Sequence, residues 1–337
     1  MVWGLGNIAG DSPNNKAVIA TPEMVTLLVN ALRANETSPD ARHIAFLLTN
    51  LCKGSTNLDI LFPIYRAYLE IMCICEDVNT LCNIFSGLYV FTSENREAGL
   101  FLAENFHPHL LTLLNFLSHA DQRVVLSVVR ILGNFISKDY VSSTIVDRLL
   151  CEGLLGKMEA ILRVPTSEDI KQNACLLLSN ITAGTKPQME ALVEDANLIN
   201  ILIDIMQTSS KTVRREAVWV VGNACSARDI DVTSKLVAAG CIPPICDLLA
   251  LNKSRNQYVC LETLEYMLSI GEILADEKNL LYNPIALDIA ACGGLEKLRN
   301  IDLPLSADIV NTYYGEKYEE YLAKRRGLVT KSARKIN

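Results

Sequence analysis

The stretch Val2-Trp3-Gly4-Leu5-Gly6-Asn7-Ile8-Ala9-Gly10-Asp11 decides the fold, because variants of it recur down the chain. They are Ile44-Ala45-Phe46-Leu47-Leu48-Thr49-Asn50-Leu51-Cys52, Val129-Arg130-Ile131-Leu132-Gly133-Asn134-Phe135-Ile136, Cys175-Leu176-Leu177-Leu178-Ser179-Asn180-Ile181-Thr182-Ala183-Gly184 and Val218-Trp219-Val220-Val221-Gly222-Asn223-Ala224-Cys225. Each is an apolar run holding one Asn, with a large or charged residue four places earlier and usually a small residue just before it. Asn7, Asn50, Asn134, Asn180 and Asn223 follow one another at intervals of 43, 84, 46 and 43 residues. The long interval is two periods, and a degraded copy fills it: Leu81-Cys82-Asn83-Ile84-Phe85-Ser86-Gly87-Leu88, with Gly87 in the Asn slot. A period of roughly 40–47 residues marks helical armadillo or HEAT arrays.

The rest of each period supports helices. Thr21 to Leu32 reads as an amphipathic helix with Thr21 or an adjacent residue as N-cap and Pro22 at its first position. Ser38-Pro39-Asp40 then starts an Asn-bearing helix that ends near Gly54. The same order returns as Pro108–Leu114 before Gln122–Ile136, Leu198–Met206 before Thr212–Cys225, and Ile242–Leu249 before Gln257–Leu274. A third short helix, Val232 to Ala239, closes on Gly240, a favourable residue just past a helix end. Three helices per unit favour armadillo over HEAT, and no strand alternation competes. The expected architecture is an all-α, right-handed armadillo superhelix over residues 1–321, about seven repeats plus a partial first one. A basic, disordered tail is expected over 322–337, carrying Lys324-Arg325-Arg326 and Lys331-Ser332-Ala333-Arg334-Lys335. Met1 opens almost directly on a repeat's core helix, where end repeats normally carry a polar outer face. Either the natural chain is longer or its first helix is poorly covered.

Bulk properties agree. The chain has 337 residues, more than one ordinary core organises, but a repeat array packs only neighbour on neighbour. It is 50% hydrophobic and 6% aromatic, as stacked aliphatic helices require. The net charge of −7 argues against nucleic acid and permits basic partners. The 11 Cys form no CxxC pair, and most fall inside apolar runs, which points to reduced thiols in the cytoplasm or nucleus. No run of 18 apolar residues suggests a membrane span.

Trp3 and Asn7, Phe46 and Asn50, Arg130 and Asn134, and Trp219 and Asn223 are each four apart, hence one turn apart on one helix face. A single Asn in an apolar helix most simply hydrogen-bonds a neighbouring segment. Five at one period, three of them with Trp or Arg a turn earlier, point to a ladder. Asn amides can clamp the N–H and C=O groups of an extended peptide. Trp faces leave slots for Lys or Arg stems, with cation–π attraction of about 0.5–2 kcal/mol each. Asp11 can pair with a lysine ammonium.

These motifs, with Gly240-Cys241-Ile242-Pro243-Pro244 and Gly293-Gly294-Leu295-Glu296-Lys297, resemble those of importin alpha, the armadillo adaptor for nuclear localisation signals, over almost the whole chain. The resemblance implies that the family's importin-beta-binding segment and first two repeats have no counterpart here. Recruitment of importin beta by the usual route is therefore not expected. It also implies that Trp3, Asn7 and Asp11 (third repeat) and Phe46 and Asn50 (fourth) belong to the major cargo site. Arg130 and Asn134 (sixth), Asn180 (seventh), and Glu216, Trp219 and Asn223 (eighth) match further positions. Departures are Phe46 for Trp, Asn83 and Gly87 in the fifth repeat, and Leu176 for Trp in the seventh. The acidic run Glu316-Lys317-Tyr318-Glu319-Glu320 implies contact with the family's export receptor, although a solvated helix end explains it too. The implied function is a nuclear-import adaptor for basic cargo peptides in cytoplasm and nucleus; the alternative is an armadillo scaffold that no longer ferries cargo.

Catalysis is not expected. Only His43, His107, His109 and His119 exist, and none is placed by a motif beside a Ser or Cys nucleophile. His107-Pro108-His109 reads as a surface turn rather than a metal site, and no cofactor motif is present: Gly4 and Gly6 lie inside a helix, not after a strand.

Overall fold

The computed structural model describes residues 1–36, 38–94, 109–137, 143–250 and 255–333. His107 and Pro108 of the expected surface turn lie outside them. The described residues form helices and connections, arranged as two compact units, Met1–Asn180 and Ile181–Asn337.

The first unit contains α1 (Val2–Asp11), α2 (Pro13–Ile19), α3 (Pro22–Ala34), α4 (Ala41–Cys52), α5 (Leu58–Met72), α6 (Val78–Glu94), α7 (Leu110–Phe116), α8 (Gln122–Ile136), α9 (Ser143–Cys151) and α10 (Leu154–Arg163). Its last helix, α11 (Glu168–Thr182), runs through the division. The Asn-bearing helices stack in series, α1 on α4, α4 on α6 and α6 on α8, while α3 packs on α5 behind them. Capping places the boundaries. Thr21 Oγ1 accepts the Met24 amide at 3.2 Å with Pro22 in the first turn, and Asp121 accepts the Arg123 amide at 2.8 Å to start α8. Leu28, Leu32, Leu47, Leu48, Tyr65, Tyr68 and Phe85 are all buried.

The second unit holds α12 (Lys186–Val193), α13 (Ala196–Thr208), α14 (Lys211–Ser226), α15 (Ile230–Ala238), α16 (Ile242–Leu249), α17 (Arg255–Glu277), α18 (Pro284–Ala291), α19 (Gly294–Arg299), α20 (Pro304–Tyr313) and α21 (Glu316–Ala333). Here α14 packs on α13 and α17, and α17 on α16, α18 and α20. Gly240, at φ 92°, ends the α15 turn in the left-handed region that glycine enters without strain. The backbone of α21 stays helical through Ala333, where a disordered tail was expected from residue 322. Its Ala, Leu, Lys and Arg content favours helix. Residues 334–337 lie outside the described ones.

The fifth-repeat slot shows why the period loses its Asn. A Cβ at Gly87 would sit 2.4 Å from the Tyr68 ring and 2.9 Å from Thr49 Oγ1. The Tyr68 hydroxyl donates to Ala45 O at 2.7 Å, and Thr49 Oγ1 donates to Asn83 O at 2.8 Å. Tyr68 thus occupies the space a side chain at 87 would need. Restoring the repeat's asparagine by Gly87→Asn is expected to destabilise the protein by about 1–3 kcal/mol, the usual cost of overpacking. A urea melt with an unchanged midpoint would show that Tyr68 can move aside.

All 11 cysteines are free thiols; seven are buried, and Cys73 and Cys151 are exposed. Among the described residues no single helix is long and apolar enough to cross a membrane.

Candidate functional site

The expected ladder residues differ in exposure from helix to helix. On α1, Trp3 is 60% exposed, and Asn7 and Asp11 are exposed on the same face one and two turns on. Asn15 Nδ2 reaches Asp11 Oδ2 at only 3.4 Å, a weak hold that leaves the carboxylate open to solvent.

On α4 the same register does something else. Phe46 is half-buried with its ring against the Gly6 backbone; a Cβ at Gly6 would meet it at 2.6 Å. Asn50 is 3% exposed. Its Nδ2 donates to Gly6 O at 2.9 Å, its Oδ1 accepts Lys53 Nζ at 2.8 Å, and the amide lies against Gly10. The expected clamp at Asn50 is therefore a tie between α4 and α1. Asn134 behaves similarly: half-buried on α8, it donates to Thr92 Oγ1 on α6 at 3.0 Å. Arg130, one turn earlier, extends its Nε to Asn173 Oδ1 on α11 at 3.4 Å. The helix face that looks into the ladder also borders the preceding helix, and a short amide reaches whichever is nearer. On α11, Asn180 is half-buried and Leu176 is 44% exposed, offering an aliphatic surface without an aromatic face.

On α14, Glu216, Trp219 and Asn223 share a face at i, i+3 and i+7, each half-buried and so partly open to solvent. They bring together a carboxylate, an indole and a carboxamide, enough to bind a cation and a peptide bond at once.

One feature was missed. Tyr266, on α17, stands 43 residues beyond Asn223 and so continues the period with a phenol in the Asn slot. The period itself carries the signal, in a residue type other than Asn. Arg228 lies over the Tyr266 ring, its Cζ 5.1 Å from the centroid. Tyr313 stands near: burial first, then the Glu265 and Glu272 carboxylates, push its phenol above the ordinary value, a sign of local negative potential. Among the described residues no group of three or more His, Cys, Asp or Glu side chains could hold a metal ion.

Stacked helical units of this period, with the last helix of each carrying the periodic side chains, define an armadillo-repeat protein. The armadillo/beta-catenin-like repeat model matches residues 185–226. Solved structures share the fold: an engineered protein at TM-score 0.73 and 18% identity, covering 96% of this chain and 73% of that one. A designed armadillo repeat protein in complex with peptide (KR)4 gives TM-score 0.61 and 21% identity, covering 72% of this chain and 99% of that one.

Sequence relatives narrow the class. Importin subunit alpha-1b of Oryza sativa subsp. japonica is 32% identical over 307 residues, 89% of this chain and 55% of the relative. Importin subunit alpha-8 of Arabidopsis thaliana is 29% identical over 318 residues, 93% of this chain and 69% of the relative. Importin subunit alpha of Saccharomyces cerevisiae is 36% identical over 93 residues, 26% of this chain and 17% of the relative. These importin alpha subunits are homologues of this chain, which spans little more than half the length of the rice relative.

Proposed function

We propose that this protein binds basic, extended peptides of the nuclear-localisation-signal type, as an importin alpha-type cargo adaptor working between cytoplasm and nucleus. The carrying observation is the shared, partly open face of Glu216, Trp219 and Asn223 on α14. Trp3, Asn7 and Asp11 offer a second set in the other unit. Support comes from the importin alpha relatives and from the designed armadillo protein whose structure holds a Lys/Arg peptide. Asn50 and Asn134 serve helix packing, so peptide recognition falls to fewer amides than the sequence period suggests. That observation favours the second reading, an armadillo scaffold with reduced cargo affinity. The C-terminal repeats are the place to look for an export-receptor contact, and co-purification with importin beta separates a complete adaptor from a cargo-only one.

The test is fluorescence anisotropy of a short alternating Lys/Arg peptide titrated with the whole chain. Saturable binding that weakens with added salt is expected, because exposed charge pairs are screened over roughly 8–10 Å. No saturation at low ionic strength would sink the proposal. Leu176→Trp should tighten binding about 2–5-fold, corresponding to roughly 0.5–1 kcal/mol of exposed cation–π attraction. An unchanged affinity would mean that the peptide does not reach residue 176.

A further inference from the structure

Arg228 follows α14 with φ 51°, a left-handed backbone that a bulky non-glycine residue rarely adopts. Its side chain spans to the face of α17 that continues the ladder period. Nη1 donates to Ser269 Oγ at 2.9 Å, and Nη2 donates to Glu265 Oε2 at 3.1 Å and Oε1 at 3.4 Å. The guanidinium lies over the Tyr266 ring at 5.1 Å. Its loop is pinned as well. Asp229 accepts the Asp231 and Val232 amides to cap α15 and pairs with Lys186 at 2.7 Å; that pairing, ahead of the amides, holds the Asp229 carboxyl below its usual range.

A carboxylate, an aromatic face and a hydroxyl at i, i+1 and i+4 are what a peptide's guanidinium or ammonium would seek. We infer that Glu265, Tyr266 and Ser269 form a cation subsite beside the Trp219–Asn223 face and that Arg228 fills it in cis, as a resident stand-in for a cargo side chain. The inference rests on the peptide-binding function proposed above. An arriving basic peptide must displace Arg228 to use the subsite, so the protein itself lowers its affinity for peptides long enough to reach α17.

The test uses the whole chain and the alternating Lys/Arg peptide. Arg228→Gly removes the stand-in and suits the left-handed backbone, so folding is not at risk from the turn. It is expected to bind the peptide about 5–10-fold tighter than wild type. Adding Glu265→Gln to Arg228→Gly should abolish most of that gain. Lys278→Gln, which removes one exposed cation elsewhere in the unit, should not reproduce it. If wild type binds and Arg228→Gly binds no tighter, the stand-in is overturned while peptide binding stands. A gain that survives Glu265→Gln, or that Lys278→Gln matches, also overturns it. Saturable binding by neither wild type nor Arg228→Gly would remove both the subsite and the proposed function.

Discussion

Asn283→Ala is expected to lower the unfolding free energy by about 3 kcal/mol or more, the largest single-residue effect argued from this structure. Asn283 is 2% exposed and its amide is fully used. Oδ1 accepts the Ile285 and Ala286 amides at 3.0 and 3.1 Å, capping α18; Nδ2 donates to Leu268 O at 2.8 Å and Glu272 Oε1 at 3.1 Å. The amide also lies flat on α17, where a Cβ at Gly271 would come within 2.0 Å of Oδ1. Loss of an N-cap costs roughly 0.5–2 kcal/mol, and leaving a buried donor unmet costs roughly 1–3 kcal/mol. Asn283→Asp keeps the cap but loses the donor and sets a second carboxylate beside Glu272, so it should not rescue. Urea denaturation followed by circular dichroism reads both variants. A loss below about 1 kcal/mol for the alanine would mean that solvent satisfies the α18 amides.

The second large effect concerns binding. Trp219→Ala should weaken the alternating Lys/Arg peptide about 30-fold, since truncating a central aromatic anchor costs roughly 2 kcal/mol or more. Asn223→Ala should cost about 5–10-fold, the worth of roughly one hydrogen bond to the peptide backbone. The double variant should lose saturable binding. Asn50→Ala provides the contrast: the α1–α4 tie breaks and stability falls, while peptide affinity is retained. Equal affinity losses at Asn50 and Asn223 would contradict the assignment of Asn50 to helix packing.

Much of the fold could be read from the chain because its signals are local. Thr21-Pro22 sets a cap and a first turn, Gly240 supplies a left-handed stop, and α8 spans Gln122–Ile136 as the apolar periodicity requires. The site was legible only in part, because helical spacing fixes which side of a helix a residue faces but not what stands opposite. Asn50 and Asn223 look alike in sequence. Yet Gly6 and Gly10 bring α1 close enough for the Asn50 amide to reach the Gly6 carbonyl. Tyr266 puts a phenol where the other repeats have a carboxamide, and the partners of Arg228 lie about 40 residues further along the chain, so neither is marked by local sequence.

The pair Gly6 and Gly10, one helical turn apart, acts as a socket for the ring of Phe46 and the amide of Asn50. Modules of this kind are therefore not freely interchangeable. Any foreign repeat spliced ahead of α4 must bring two side-chain-poor positions at that spacing, or the junction will splay. Recombination at this junction, natural or engineered, has to respect this lock as much as it respects the length of the period.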